Sequence, residues 1–528
     1  MDRHRAALTT AALLAIPLAF LAVFFALPFL QILDEGVRPE GSLDLGGLTD
    51  VITDDHLRRV VGFTVGQALL STALTLAIGL PCAYGLSRFT FRGRAILNAL
   101  VLIPFVLPTV VVGLAFARGE GSLGALVIAH AFFNLAVVVR VVGTAWSEVD
   151  PDLEDAAEIL GAHGWRRFRA VLWPAGRAAI AGAATLVFLF SLTSFGAALL
   201  LAPPGEATIE VEIWRRTTQF LDVPVAAALA VIQLAVVAGL LVLDAAIASR
   251  AVPRTARGTT TRPTRTTGER AFLTVVIAFV LFFTLGPLLR LIRRSLEGPE
   301  GLTLDRYLDL GANRRGGIFD VVPSQAIATS LRTAIIAAAI ALVVGLLGAF
   351  ALARSRRSSA WPLLGLPLGA SAVTLGLGFV LAFRERPLEL RGSRLIVPLA
   401  QAVVAIPFVI RIAAPAITTA RQSLGEQASD LGASPWQATR DVVLRVTAPA
   451  IATAAAFAFA ISLGEFGATA FLARADSPTM PVAIVRLLSQ PGAASVGQAY
   501  AMATLLMLVT LVAVAMLGAA GGRVTDRG

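Results

Sequence analysis

Long apolar runs, separated by short polar segments, follow one another along almost the whole chain. The first run covers residues 9–33. The remaining runs of the N-terminal half lie near residues 60–86, 96–117, 122–147, 178–202 and 224–249. Those of the C-terminal half lie near 271–293, 327–353, 360–383, 395–418, 447–472 and 498–518. Each is close to the roughly 20 residues with which a helix crosses a bilayer, so the pattern predicts an all-α polytopic membrane protein with twelve transmembrane helices.

The arginines predict how these helices are oriented. They concentrate in alternate loops, whereas segment 34–58 is acidic, which places both termini in the cytoplasm by the positive-inside rule. The short loop 384–394 disagrees, because it is assigned outside but carries four arginines. We interpret the first run as a retained anchor rather than a cleaved signal, since it is long enough to span and a second span follows. The predicted location is the cytoplasmic membrane.

Composition agrees with this class and excludes several others. Hydrophobic residues make up 56% of the chain and charged residues only 15%, with a mean hydropathy of +0.78; soluble chains carry about a quarter charged residues. The single cysteine excludes an internal disulfide or a cysteine metal cluster. The absence of lysine excludes a phosphate-binding loop, so any ATP must be bound by another subunit. We expect no cofactor, no metal and no catalytic residues. We assign the net charge of +10 to lipid contact and orientation rather than to nucleic acid.

The two halves are repeats of each other. At a shift of 271 residues Arg140 meets Arg411, Trp165 meets Trp436, and no gap is needed over about 129–198. Because each copy contains six spans, both enter the membrane in the same orientation, which predicts two parallel six-helix halves with a pathway between them. The predicted segments are an anchor helix and outer loop (1–59), a first transmembrane domain (60–249), a flexible cytoplasmic linker (250–270), a seventh helix and outer loop (271–325), a second transmembrane domain (326–518) and a cytoplasmic tail (519–528).

A cytoplasmic loop between the fourth and fifth spans of each half has the most informative sequence. In the first copy Asp150 and Pro151 predict a helix start, and Gly161 predicts a left-handed helix end. An acidic residue, small residues and a glycine six positions after the acid resemble the coupling-loop motif of the permease subunits of binding-protein-dependent ABC importers. The matching positions are Asp155, Ala156, Ala157 and Gly161 in the first copy and Glu426, Ala428 and Gly432 in the second. Asp155 stands where that family usually has Glu, and Gln427 where it prefers Ala.

The resemblance implies a type I ABC importer permease fold and a transport function. It also implies two ATP-binding ABC subunits docked on the cytoplasmic loops and a solute-binding protein at the outer face. Segments 102–116, 128–140 and 207–234 are most similar to thiamine permeases, so thiamine is the favoured solute and iron(III) the second. The alternatives are a proton-coupled 6+6 secondary transporter and a membrane enzyme, for which no convergent acid–base cluster is present.

Four polar residues in the spans are candidates for the pathway. Glu465 is a carboxylate in the eleventh span, and its repeat mate is the neutral Ser194. It either contacts a cationic solute or hydrogen-bonds within the bundle. We interpret His130 and its mate Gln401 as an interhelical hydrogen-bonding pair in preference to ligands. Prolines and glycines in 103–113 and 366–378 loosen the third and ninth helices and are candidates for a gate.

Overall fold

The computed structural model describes residues 2–39, 42, 44, 46–249, 261–311, 322–354, 361–384 and 388–525. Over these residues the backbone is predominantly helical, with one antiparallel pair of two-residue strands, β1 (Glu297–Gly298) and β2 (Gly301–Leu302). Ten helices in the described part of the chain are long and apolar enough to cross a membrane, and two bent helix pairs bring the number to twelve if each counts as one span. The predicted all-α polytopic fold is confirmed.

The helices are numbered in chain order. Those of the N-terminal half are α1 (Asp2–Leu21), α2 (Leu27–Val37), α3 (Gly46–Thr53), α4 (Asp55–Arg88), α5 (Arg94–Val106), α6 (Thr109–Phe116), α7 (Leu123–Ser147), α8 (Pro151–Ile159), α9 (Trp165–Arg167), α10 (Trp173–Leu192), α11 (Gly196–Leu201), α12 (Ile209–Arg215) and α13 (Val223–Ser249). Those of the C-terminal half are α14 (Thr267–Leu296), α15 (Asp305–Leu308), α16 (Pro323–Arg354), α17 (Trp361–Gly365), α18 (Ala372–Ala382), α19 (Ile396–Ala420), α20 (Glu426–Asp430), α21 (Pro435–Gln437), α22 (Leu444–Gly464), α23 (Thr469–Leu472), α24 (Met480–Leu488) and α25 (Ala493–Thr525). Short π-helical turns occupy Ala22–Ala26, Phe168–Leu172, Arg216–Phe220, Arg421–Gly425 and Ala438–Val443, and 3₁₀ turns occupy Asp309–Gly311 and Leu366–Gly369.

The chain folds into two compact units. The first-repeat unit comprises Ile52–Glu212 and Ile232–Arg293, and the second-repeat unit comprises Met1–Val51, Ile213–Val231 and Arg294–Gly528. Each contains one copy of the predicted cytoplasmic loop. The predicted domain boundaries remain a prediction.

Each unit is built on three helices that approach one another closely. In the first-repeat unit α4 packs on α7 and α10, and in the second-repeat unit α16 packs on α19 and α22. A Cβ atom at Gly79 would lie 2.8 Å from Val138 Cγ1, and one at Gly345 would lie 2.7 Å from Val409 Cβ. Small residues allow such close contact between membrane helices, where packing rather than water exclusion drives association. The two copies therefore use the same glycine–valine contact.

The first helix of each half packs in the unit of the other half. Helices α1 and α2 contact α16 and α18, and Leu21 belongs to the apolar core of the second-repeat unit. Conversely, Val276 and Val280 of α14 pack with Cys82 and Leu86 of α4 in the first-repeat unit. From sequence order alone, each helix would be expected to pack within its own half. In the structure the first helices of the two halves are exchanged between the units.

The third and ninth predicted spans are bent pairs of short helices. Between α5 and α6 the axis turns by 100°, and between Leu363–Gly369 and α18 it turns by 110°. In the first pair Leu107 is held extended before Pro108, because a residue that precedes proline is disfavoured in the helical region. In the second pair Ser371 caps the new helix by accepting from the N–H groups of Val373 and Thr374. The break agrees with the prolines and glycines noted above, and a gating role remains a prediction.

The last part of the predicted linker has defined secondary structure and contacts. Residues 250–260 lie outside the described residues, but α14 already begins at Thr267. Arg262 exchanges backbone hydrogen bonds with the strand-like residues after α4, donating to Arg88 O at 3.0 Å and accepting from Thr90 N at 3.0 Å. Its guanidinium pairs with Glu269 and lies 5.0 Å from the centre of the Phe89 ring. The polar composition of residues 250–270 did not predict these contacts of Arg262.

We expect Gly79→Ala to destabilise the first-repeat unit, since the new methyl group must displace Val138. Overpacking of this kind costs about 1–3 kcal/mol. The matched control is Gly62→Ala on the same helix, where an added Cβ meets no atom within 4 Å and the substitution removes the roughly 0.5–1 kcal/mol helix penalty of glycine. The apparent melting temperature in detergent should fall for the first variant and hold or rise for the second. Equal melting temperatures would contradict the close packing.

Candidate functional site: the paired loops

The first loop, residues 150–164, is organised by capping at both ends of α8. The Asp150 side chain accepts a hydrogen bond from Asp152 N at 3.0 Å, and Pro151 occupies the first turn. At the other end Gly161 adopts φ +83°, and Ala162 N donates to Ala157 O at 2.9 Å. This is the six-residue closure typical of a glycine-terminated helix. The predicted helix start and left-handed end are both present.

The second loop, residues 425–434, ends in the same way. Gly432 has φ +90°, and Ala433 N donates to Ala428 O at 3.0 Å. Both atoms of that hydrogen bond are 271 positions from their counterparts in the first loop. A capping box between Ser434 and Gln437 then starts the next helix. The repeat therefore extends to individual hydrogen bonds.

The predicted coupling residues lie together within each loop and are accessible. Asp155, Ala156 and Gly161 are exposed in the first loop, and Glu426 and Gly432 are exposed in the second. The remaining two, Ala157 and Ala428, are half-buried. Their role in docking is not decided by this placement and remains a prediction.

Apolar side chains project from both loops at matching positions. Leu160 and Leu431 are 86% and 90% exposed, and Trp165 and Trp436 are 72% and 66% exposed. Large apolar groups exposed together typically mark an interaction surface. We call each Leu–Trp pair the apolar tip of its loop. Sequence reasoning used the tryptophans only to align the halves, although their duplication was the signal for a surface.

A buried ion pair anchors the first loop to the end of α4. Glu154 of α8 is 5% exposed and pairs with Arg88, the last residue of α4. Arg88 Nη1 also donates to Trp146 O at 2.9 Å, and Arg167 Nε lies 3.8 Å from Glu154 Oε2. Trp146 Nε1 in turn donates to Leu172 O at 2.9 Å. The loop is thereby attached directly to α4 and α9, and through Arg88 to α7, by groups that are largely buried.

This anchor was missed at the level of sequence. The positive-inside pattern accounts for Arg88 as one of the arginines that set orientation, and Glu154 stands one position before the motif. The signal that could have identified the pair is its asymmetry: Arg88 has an arginine mate, Arg354, whereas the mate of Glu154 is Gly425. The second loop thus keeps the cation and lacks the anion.

The structure gives Glu465 a local structural task. It is the first residue after α22, and its carboxylate accepts from Ala468 N at 2.7 Å and from Thr469 N at 3.1 Å. The Thr469 hydroxyl donates to the same carboxylate at 2.7 Å. Of the two readings left open above, hydrogen bonding within the bundle therefore has direct support. Its mate Ser194 is buried in the equivalent connection before α11.

His130 bonds between helices, as expected, but its partner is Ser71. The distance from His130 Nδ1 to Ser71 Oγ is 3.1 Å, which joins α7 to α4 within the first-repeat unit. The expected partner, Gln401, is a buried residue of α19 in the other unit. Gln67 and Asn134, both buried, continue the polar layer by donating to Ser191 O and Ser191 Oγ at 2.9 and 3.4 Å.

Two further buried carboxylates, Glu210 and Glu212, were not anticipated. Both lie on α12 and are no more than 2% exposed. Glu210 accepts a hydrogen bond from Gln233 Nε2, and Glu212 Oε1 lies 3.3 Å from His56 Nε2. Their mates in α24 are Pro481 and Ala483, so the helix itself does not require them. In the described part of the chain no group of three or more His, Cys, Asp or Glu could hold a metal ion.

Comparison with known proteins decides the class. The profile of the binding-protein-dependent transport system inner membrane component family matches this chain twice, over residues 75–252 and 387–526. The chain belongs to this family. It is a multi-pass inner-membrane permease of an ABC importer and not an enzyme. Membership implies an ATPase and a solute-binding protein as partners. Membership in this family excludes the alternative of a proton-coupled secondary transporter.

Several full-length relatives carry a specific name. The thiamine transport system permease protein ThiP of Escherichia coli (strain K12) is 28% identical over 81% of this chain and 83% of its own length. ThiP of Brucella abortus (strain 2308) is 28% identical over 87% and 88%. A probable molybdenum ABC transporter permease of Haloferax volcanii is 36% identical over 37% of this chain and 77% of its own. A solved bacterial ABC transporter involved in alginate import aligns with 48% of this chain and 98% of its own, at 15% identity and a TM-score of 0.42.

We expect Glu154→Gln to loosen the first loop, because it removes the carboxylate that pairs with the buried Arg88. Breaking a buried pair on one side typically costs about 3–5 kcal/mol. Hydrogen–deuterium exchange over residues 151–161 should become markedly faster. Asp152→Asn on the same helix is the control, since that side chain is exposed. If both variants exchange at the wild-type rate, the ion pair does not hold the loop.

Proposed function

We propose that this permease imports thiamine, with iron(III) as the second candidate. Support for thiamine comes from the ThiP relatives, which align over more than four-fifths of this chain. Their identity of 28% leaves room for a change of solute, which is why transport must be measured directly. In the proposal both termini and both loops face the cytoplasm, as the arginine pattern predicts.

The proposed coupling elements are the two glycine-terminated loops. Two ATP-binding subunits would each receive one loop, and closure of the ATPase dimer would move both loops together. The observation that carries this proposal is the duplicated geometry: the same left-handed glycine, the same closing hydrogen bond and the same apolar tip in each loop. A helix of small residues ending in glycine can enter a cleft closely, and exposed Leu and Trp can then be buried there.

Alternating access would arise when the two halves move against each other around a central site. A solute-binding protein would deliver thiamine at the outer face. The two carboxylates Glu210 and Glu212 belong to the first copy alone, so the pathway proposed here is not symmetric. Glu465 and Ser194, with His130 and Gln401, remain candidate pathway residues in this proposal.

Labelled thiamine should accumulate in cells that carry the gene and fail to accumulate after its deletion. Uptake unaffected by deletion would eliminate thiamine, and iron(III) uptake would then be measured in the same pair of strains. The permease class would not be affected, since it rests on the family.

The double variant Gly161→Glu/Gly432→Glu should abolish uptake, because each substitution places a bulky charge on the docking face and strains a left-handed residue. A matched control is Gly119→Glu/Gly205→Glu. Both of these glycines have φ +82° and open surroundings, and Gly119 lies before α7, at the end opposite to the first loop. Uptake at the wild-type rate in the loop variant would contradict the docking role. Loss of uptake in the control would point to backbone strain instead.

A further inference from the structure

A cavity of about 820 Å³ lies beneath the second loop. Its walls are the ends of α16 and α19, the two π-helical turns that flank the loop, and α20. The residues that line it include Arg354, Arg421, Gly425, Glu426, Asp430 and Thr439. A volume of this size is typical of small-molecule sites, which range over roughly 300–1,000 Å³.

In the first repeat two of the corresponding positions hold larger side chains, and one of these two belongs to a buried ion pair. The mate of Thr439 is Phe168, which packs against Trp146 with ring centres 5.8 Å apart. The mate of Gly425 is Glu154, the anion that neutralises Arg88. The second repeat thus retains Arg354, the mate of Arg88, without the carboxylate that its counterpart binds.

The charged groups around the cavity form no close ion pairs with one another. In the described part of the chain Arg354, Arg421, Glu426 and Asp430 make no hydrogen bond through their side chains and no ion pair within 4.0 Å. The Nη1 atom of Arg421 is buried and lacks an acceptor. A buried donor without an acceptor is unfavourable, and two neighbouring guanidinium groups repel each other until an anion lies between them.

We propose that this cavity binds a small molecule that carries both a phosphate group and a positively charged nitrogen. The phosphate occupies the place that Glu154 fills in the first repeat and accepts hydrogen bonds from Arg354 and Arg421, whose planar guanidinium groups match phosphate oxygens. The nitrogen lies beside Glu426 and Asp430. This chemistry belongs to soluble phosphorylated amines and to phosphoethanolamine lipid headgroups alike.

A ligand in this position would bridge α16 to the second loop, as the Arg88–Glu154 pair bridges α4 to the first. Bound ligand would therefore stiffen a loop that otherwise rests on a cavity. The consequence for transport depends on the coupling role proposed above, but binding itself does not. Binding measured on the purified chain consequently tests this inference even if the solute is not thiamine.

The experiment is calorimetric titration of the detergent-purified full-length chain with O-phosphoethanolamine. Arg421→Gln should weaken binding by roughly tenfold or more, as expected for loss of a charge-assisted hydrogen bond. Gly425→Glu should abolish it by supplying the missing carboxylate internally. A Cβ at Gly425 meets Val443 Cγ2 at 3.5 Å, an ordinary contact, so this variant should fold. Arg445→Gln, an exposed arginine outside the cavity, should bind as wild type.

A second measurement tests whether the bound molecule is a phosphoethanolamine lipid. Native mass spectrometry of the same four proteins, purified from membranes, would count retained phosphatidylethanolamine. Binding of the soluble probe or retention of the lipid, lost in Arg421→Gln and Gly425→Glu and kept in Arg445→Gln, supports the site. Absence of both, or equal binding by all four proteins, overturns it.

Discussion

The need to pair every backbone group inside lipid governs this structure. Unpaired N–H and C=O groups are costly where no water is available, so a spanning chain must be helical or must cap each break. The breaks here are capped by side chains: Thr64 Oγ1 accepts from Ile209 N at 2.9 Å, and Ser330 Oγ accepts from Met480 N at 2.7 Å. Glu465 does the same for the helix that follows it. Many of the buried polar side chains that suggest a solute pathway are therefore needed to cap the backbone. A residue with such a capping role is not assigned to transport on its polarity alone.

Polar residues that occur in only one of the two copies are a better guide to function. Position 208 and its mate 479 are both threonine, and α12 and α24 begin directly after them. Of these two helices, only α12 carries buried carboxylates. The same holds at the loops, where the glycine-terminated end is shared and only the first loop has a buried carboxylate. A repeat thus serves as an internal control: features present twice belong to the fold or to a role that both copies share, and features present once are candidates for specialised roles.

The sequence predicted the elements whose causes are local. The length of the apolar runs predicted the spans. Asp150 with Pro151 predicted a helix start, and Gly161 and Gly432 predicted helix ends. It did not predict that α1 and α14 pack in opposite units, because an apolar helix carries no signal for its partner. Nor did it predict the Arg88–Glu154 pair, since an arginine at a helix end has the same pattern whether it contacts headgroups or a carboxylate 66 positions away. Glu465 illustrates the converse case: a charge in a span suggests transport, and its hydrogen bonds to Ala468 and Thr469 show that it also caps the backbone locally.

The asymmetry of the loops has a mechanical consequence for the coupling proposed above. A force applied to a loop moves the membrane helices only as far as the connection between them is stiff. In the first repeat that connection is a buried ion pair reinforced by Trp146, and such contacts have few alternative arrangements. In the second repeat the loop continues α19 through a π-helical turn and rests on a cavity, so it can shift before α16 follows. Displacement of the first loop would therefore be transmitted directly to α4, whereas the second loop would lag unless the cavity is filled. The two proposed docking sites would therefore contribute unequally to coupling, although both loops expose a leucine and a tryptophan at matching positions.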